Sequence, residues 1–115
     1  MYTISKEFSF HAKRTSIDKQ EQIYQIIVEF QSSYLNNSNL VVDYQEIDLI
    51  KKYIESDLTH KHLDKVFNMP NPTVELMAEY LFYELRDLFE LPHRSKLSAI
   101  IIKGTPGIME KYKPI

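Results

Sequence analysis

The chain of 115 residues contains no cysteine and only two glycines. Without thiols it has no disulfides, thiolate zinc sites or cysteine nucleophiles. Two glycines leave no glycine-rich loop for cradling phosphates. The longest apolar runs, such as residues 99–102, are far shorter than the roughly 20 residues that span a bilayer. These absences leave any chemistry to the polar side chains, and no membrane partner is expected.

The chain also has little net charge. Fourteen Lys and Arg side chains face sixteen Asp and Glu side chains, giving a formal charge of −2, so nothing favours nucleic acid as a partner. Residues 1–6 alternate polar and apolar side chains, which is untypical of a signal or transit peptide, so we expect a cytoplasmic protein. The composition is that of a soluble globular protein. The length predicts a single domain over residues 1–115.

The first part of the chain has the period of β-strands. Apolar and polar side chains alternate over residues 2–12 and again over 24–30, which predicts two half-buried strands. Only the polar segment 13–20 separates them, so an antiparallel hairpin is expected. Residues 32–39, rich in Ser and Asn, are typical of a loop.

The middle of the chain has the period of helices. Apolar residues recur at helical spacing from Tyr44 to Leu58, and Asp43 is predicted to cap this helix. A second helix is predicted to begin near Asn71, with Pro72 in its first turn. Its apolar face is Val74, Met77, Leu81, Leu85 and Leu88.

The last part of the chain returns to strands. Residues 96–103 form an Ile-rich run short enough for a buried strand, and residues 108–112 follow a turn. The order ββααββ predicts an α+β fold, in which two helices cover one face of an antiparallel four-stranded sheet. Such a sheet has two edges, which favour association with further copies.

Five segments stand in an order that resembles a known family: FSFHA at 8–12, LVVDY at 40–44, LTHKHLD at 58–64, NPTVE at 71–75, and GTP at 104–106 followed by Tyr112. They are similar to motifs of the 6-pyruvoyl-tetrahydropterin synthase and 6-carboxytetrahydropterin synthase family. The resemblance implies the tunnelling fold, or T-fold, in which three subunits close their sheets into a barrel. It therefore implies a homo-oligomer, a trimer or a dimer of trimers, and a pterin- or purine-like ligand.

The resemblance also shows what this chain lacks. Family enzymes bind zinc through three His, and the alignment places Arg14, Gln20 and Gln22 at those positions. Arg cannot ligate a cation, and Gln amides are poor zinc ligands. The four His of the chain form no three-ligand cluster in the expected fold. We therefore expect no metal ion and no other cofactor.

The family's catalytic residues are depleted as well. Its catalytic Cys is absent, and Thr59 replaces the Asp that orients the catalytic His, so no charge stabilises an imidazolium from that position. In the alignment, Gly104 occupies the position of the Glu that anchors the pterin ring in family enzymes. The resemblance leaves His60 as the candidate acid or base. The candidate ligand-binding residues are Thr73, Glu75, Thr105 and Arg14.

Each candidate also has a structural explanation. His60 lies between polar residues at a helix exit, where a His is more often solvated than catalytic. Glu75 in the first turn of a helix suits the helix dipole. Arg14, Lys13 and Lys103 either line a pocket for an anion or are surface charges at strand ends.

Three hypotheses follow. The first is a divergent family member without zinc or lyase activity, which acts as a binding or regulatory oligomer. The second is a metal-independent enzyme on pterin- or purine-like substrates, with His60 as acid or base. The third is an interaction protein whose likeness to the family is coincidental.

Overall fold

The order of the four strands and the two longer helices is that expected from the periodicity. The computed structural model describes residues 1–88, 95–104 and 107–114. Its elements are β1 (Tyr2–Ala12), β2 (Gln22–Ser32), α1 (Tyr44–Tyr53), a π-helical turn (Ile54–Leu58), α2 (Leu63–Val66), α3 (Val74–Arg86), β3 (Ser95–Lys103) and β4 (Met109–Tyr112). The strands form one antiparallel sheet in the order β1-β2-β3-β4, with the helices on one face. The predicted α+β fold is confirmed.

The β1–β2 hairpin sets the core face of the sheet. Tyr2 pairs with Ser32, and Ala12 pairs with Gln22, so even-numbered residues of both strands share a face. On β2 the apolar members of this face are all buried. On β1 the outcome differs, because Tyr2 and Ile4 are 49% and 36% exposed. The prediction of a half-buried β1 is therefore wrong for its first half.

The helical layer explains this exposure. The segment after the π turn meets β1 only at its far end, where the His60 backbone N–H donates to the His11 carbonyl at 2.6 Å. At the other edge of the sheet, α3 packs on β3 and β4. Only Phe10 and Ala12 of β1 are buried beneath this layer.

The predicted first helix is divided in two. Its apolar spacing continues to Leu58, but residues 54–58 form a π turn, in which the Thr59 backbone N–H and hydroxyl donate to the Ile54 carbonyl at 2.9 and 3.1 Å. The wider turn still keeps Ile54 and Leu58 buried. At the start of α1, Asp43 occupies the cap position without a side-chain cap bond. Its carboxylate accepts from Asn36 Nδ2 at 2.9 Å instead, so the predicted cap is confirmed in position but not as a side-chain hydrogen bond to the helix.

The segment before α2 is hydrogen-bonded to the loop between β1 and β2 and fixes its position. It runs parallel to the end of β1, where the Lys13 N–H donates to the Lys61 carbonyl (3.0 Å) and the Asp64 N–H donates to the Arg14 carbonyl (3.0 Å). The Asp64 carboxylate then accepts from the Ser16 N–H (3.0 Å) and hydroxyl (2.9 Å). The short helix α2 was not expected from the sequence. The block at residues 58–64 therefore positions the backbone of Arg14.

Helix α3 begins later than the sequence suggested. Its first residue is Val74, and Thr73 is the cap, with Oγ1 accepting from the Leu76 N–H at 3.3 Å. Pro72 is buried just before the cap. The predicted apolar face is confirmed in its centre, where Met77, Leu81 and Leu85 are at most 2% exposed. Within the described ranges, no helix is long and apolar enough to cross a membrane.

Candidate functional site

A cavity of about 290 Å³ opens where the end of the β1–β2 hairpin meets the start of α3. This volume is close to the lower bound of small-molecule sites. The cavity is lined by polar and charged groups on an apolar wall: Arg14, Gln22, Tyr24, Pro72, Thr73, Val74, Glu75, Met77, Gly104 and Ile108. It therefore combines apolar surface with a few convergent polar groups, as ligand sites do.

Arg14 brings a positive charge to this cavity. It lies two residues after the end of β1, and its Nη1 donates to the Asn71 Oδ1 just ahead of α3. In the described part of the chain, no carboxylate lies within ion-pair distance of Arg14. Asn71 thus restrains the guanidinium without neutralising it.

Glu75 brings the opposite charge from the first turn of α3. The dipole of α3 favours a carboxylate at this end of the helix. Among the residues that the structure covers, neither a hydrogen-bond donor nor a cation is bonded to the Glu75 carboxylate. The cavity therefore holds one positive and one negative charge that are not paired with each other.

Tyr24 and Gln22 form the wall contributed by β2. The Tyr24 ring is 1% exposed and stacks on Phe10, with 5.4 Å between the ring centroids. Its hydroxyl donates to the Gln22 Oε1 at 3.2 Å. Burial raises the pKa of Tyr24, an effect that the nearby Arg14 charge partly opposes. The phenol is therefore neutral at physiological pH.

Gly104 leaves bare backbone on the cavity wall beside Tyr24 and Val74. A Cβ at this position would lie 3.2 Å from Val74 Cγ1 and 3.8 Å from Tyr24 Cε1. The Gly104 N–H donates to the Ile108 carbonyl at 2.8 Å, which closes the connection to β4. A glutamate at this position, as in the family pattern, would require Val74 to shift.

The structure brings three of the predicted ligand-binding residues together. Arg14, Thr73 and Glu75 all line the cavity, although the Thr73 hydroxyl is engaged in capping α3. Thr105 lies outside the described residues. Lys13 and Lys103, considered with Arg14 as pocket cations, do not line the cavity.

His60, the predicted acid or base, lies apart from this cavity. Its side chain is 69% exposed, and its backbone is in the left-handed region with φ of 60°. The His60 Nδ1 lies 2.8 and 3.0 Å from the two carboxylate oxygens of Glu21, and the His11 ring is 6.5 Å away. Sequence reasoning considered only Thr59 as the partner of His60. It missed Glu21, which is 39 positions away and meets His60 only because the hairpin ends beside the π turn.

The comparisons with known proteins agree with this architecture. A solved 6-pyruvoyl tetrahydropterin synthase from Caenorhabditis elegans is 20% identical and superposes with a TM-score of 0.80, covering 99% of this chain and 96% of that one. An uncharacterized protein from Wolinella succinogenes is 18% identical with a TM-score of 0.76, covering 99% of this chain and 98% of that one. The fold is therefore the T-fold.

The sequence comparison identifies the family as well as the fold. The family model described as 6-pyruvoyl tetrahydropterin synthase matches residues 3–114, almost the whole chain. The chain belongs to the 6-pyruvoyl tetrahydropterin synthase family.

The zinc ion of the family does not fit the donors present here. Of the three aligned ligand positions, Arg14 offers only N–H donors and Gln22 Oε1 already accepts from Tyr24. The third, Gln20, is exposed and does not line the cavity. Over residues 1–88, 95–104 and 107–114, no group of three or more His, Asp or Glu is arranged to hold a metal ion.

Proposed function

We propose that this chain is a divergent family member that binds a pterin- or purine-like heterocycle and lacks zinc-dependent lyase activity. It acts as a binding or regulatory protein in the cytoplasm, as a homo-oligomer built from trimers. The observation that carries this proposal is the cavity, on whose walls neither Arg14 nor Glu75 has an ion-pair partner among the described residues. Arg14 and Gln22 stand at two of the aligned metal positions.

The cavity suits a flat, amino-substituted ring. The Glu75 carboxylate accepts N–H donors, and such charge-assisted bonds are the strong ones. The side chains of Val74, Met77 and Ile108 supply an apolar surface for the ring.

The residues that remain support the proposed loss of lyase chemistry. Zinc in the family acts as a Lewis acid, which neutral Gln and cationic Arg side chains do not reproduce by coordination. The chain has no Cys to act as the family's catalytic thiol. Metal analysis of the purified protein should give less than one zinc per chain, and stoichiometric zinc would contradict this part of the proposal.

Ligand binding is tested by calorimetric titration with a pterin and with guanine. We expect micromolar to millimolar affinity for at least one of them, and a loss of about 10-fold or more in Glu75→Gln, because a bond to a charged group contributes about 1.5–3 kcal/mol. The matched control is Glu79→Gln, which lies on α3 but does not line the cavity. No binding of either ring up to millimolar concentration would refute the proposal.

The oligomer is tested separately by light scattering. The sheet leaves β1 and β4 as its two edges, and most of the outer edge of β1 has no neighbouring strand in the described chain. Pairing such edges between copies removes exposed backbone groups. A stable monomer would contradict this part of the proposal while leaving ligand binding intact.

One observation favours the second hypothesis, a metal-independent enzyme. The Glu21 carboxylate at 2.8 Å from His60 Nδ1 supplies the charge that Thr59 lacks. A carboxylate there orients the imidazole, as an acid or base requires. Turnover of a reduced pterin that is lost in His60→Ala and reduced in Glu21→Gln would support this function. Absence of turnover in the wild-type protein would exclude it for that substrate.

A further inference from the structure

We infer that the side of α3 facing away from the sheet is a docking groove for a basic amphipathic segment of a partner protein. A depression of about 320 Å³ runs along this side of the helix. It shares no lining residue with the cavity at the start of α3, so it is a separate feature of the molecule. To this depression, called the α3 groove, the helix and its C-terminal cap contribute Leu76, Glu79, Tyr80, Tyr83, Glu84 and Asp87.

Helical periodicity places the α3 groove opposite the core. The buried residues of α3 are Met77, Ala78, Leu81, Phe82 and Leu85. The groove residues from Leu76 to Asp87 recur three or four positions apart, which forms a stripe on the other side of the helix. At 1.5 Å per residue this stripe is roughly 16 Å long, or about three helical turns. A short segment of a partner therefore fits along it.

The floor of the α3 groove is apolar surface that the fold leaves uncovered. Leu76 is 44% exposed and Tyr83 is 37% exposed. Beside them, Tyr80 and Met69 are half-buried and pack against the core. The Tyr80 ring meets the Phe67 ring edge-on, with 4.9 Å between the centroids. The floor is therefore held in place by the core, and apolar side chains exposed together in one groove are typical of interaction sites.

The rim of the α3 groove is negatively charged. Glu79, Glu84 and Asp87 are exposed, and among the described residues no cationic side chain lines the groove. Asp87 already has a partner, because the Arg86 Nε lies 3.5 Å from its Oδ1. In the described part of the chain, neither Glu79 nor Glu84 has a cation within ion-pair distance. These two carboxylates are therefore the part of the rim that a partner can engage.

The negative charge also acts on the floor. Burial raises the pKa of Tyr80, and a hydrogen bond to Glu84 together with the charges of Glu84 and Asp57 raises it further. Carboxylates of two elements, α3 and the π turn, thus act on one tyrosine of the groove. A segment with Lys or Arg beside its apolar side chains is complementary to this surface, since its apolar groups cover the floor while its cations meet the rim.

Fluorescence anisotropy with labelled synthetic peptides tests the α3 groove. The probe is a peptide of about 14 residues with Leu and Lys at the spacing of an amphipathic helix. Two matched peptides carry Glu in place of each Lys, or Ser in place of each Leu. We expect the Leu–Lys peptide to bind about 10-fold or more tightly than either, because it alone matches both the floor and the rim. Its binding should weaken with added salt.

Variants at exposed positions separate the rim from the floor. The double variant Glu79→Gln/Glu84→Gln should weaken binding of the Leu–Lys peptide by about 3-fold or more and reduce its salt dependence. Leu76→Gln should weaken binding by about 5-fold and leave the salt dependence unchanged. The matched control Glu7→Gln/Glu55→Gln changes the net charge equally at exposed positions outside the groove, so it should bind like the wild-type protein.

Light scattering on the same variants identifies the occupant. An unchanged oligomer in Leu76→Gln supports a partner protein, whereas loss of subunits would show that a second copy of this chain occupies the groove and would overturn the inference. No binding of the Leu–Lys peptide up to millimolar concentration would overturn it too, as would equal binding of the three peptides or binding that no groove variant weakens. The groove variants should leave binding of pterin or guanine unchanged, so this inference and the proposed function can fail separately.

Discussion

Replacing Thr73 by Ala removes the side-chain cap of α3, the helix that covers β3 and β4 and supplies one wall of the cavity. Thr-to-Ala changes at a helix cap cost about 0.5–2 kcal/mol in the free energy of unfolding. The bond from the Leu76 N–H is 3.3 Å, at the long end of the range for hydrogen bonds. We therefore expect a loss of about 1 kcal/mol.

This loss can be converted to a melting temperature. The unfolding entropy is roughly 2 cal/mol/K per residue, so for a chain of this length 1 kcal/mol lowers Tm by about 4 °C. The measurement is urea and thermal unfolding followed by circular dichroism, at one fixed protein concentration because oligomers unfold in a concentration-dependent way. The midpoint should fall with little change in the urea slope.

Thr73→Ser is the matched control. It keeps the hydroxyl, so it should retain the wild-type Tm within about 1 °C and bind ligand normally. An unchanged Tm in Thr73→Ala would refute the assignment of Thr73 as the cap. Equal destabilisation of the Ser and Ala variants would show that the Thr73 methyl group, and not the cap bond, stabilises this end of α3.

Three further predictions concern stability and titration. Leu85→Ala, at a fully buried position on α3, should cost about 2–5 kcal/mol in denaturant unfolding; a cost below 1 kcal/mol would argue against this packing. The hydrogen bond between the Tyr83 and Tyr112 hydroxyls raises the pKa of Tyr112 to about 12, so its stabilising contribution is present below pH 10 and lost between about 10 and 12. In Tyr83→Phe an ultraviolet titration should show this pKa falling toward its ordinary value. Hydrogen bonds from the Ser16 backbone N–H and, to a smaller extent, from its hydroxyl lower the pKa of the Asp64 carboxyl. The stability that this carboxylate contributes is therefore present above its ordinary pKa and is lost on acidification. In Ser16→Ala, an NMR titration of Asp64 should show this pKa raised only part of the way to its ordinary value, because the backbone N–H remains.

Local periodicity was sufficient for most of the fold. Alternation in residues 2–12 and the apolar stripe of α3 are short-range patterns, and both correspond to observed elements with bounds within a few residues. The π turn at Ile54–Leu58 could not be predicted from local periodicity, because apolar spacing is similar for α and π turns. Asp43 has the right residue type for a cap, but a donor from the preceding loop occupies its carboxylate.

The candidate site was partly accessible from the sequence. The family resemblance selected Arg14, Thr73 and Glu75, and the structure places all three on one cavity. Glu21 was missed because its contact with His60 joins the end of a hairpin to the exit of a helix. No local pattern of residues encodes such a contact.

The sequence by itself determined the order of strands and helices, the family, and the types of residue that stand where a metal was expected. These properties depend on side-chain period and residue identity, which are local. The tertiary structure alone decided that the Arg14 and Glu75 charges face one cavity without pairing, and that His60 lies outside it beside Glu21. The reason is physical, since the distance between two charges depends on how the hairpin, the π turn and α3 pack together, and that distance determines whether they bind each other or a ligand.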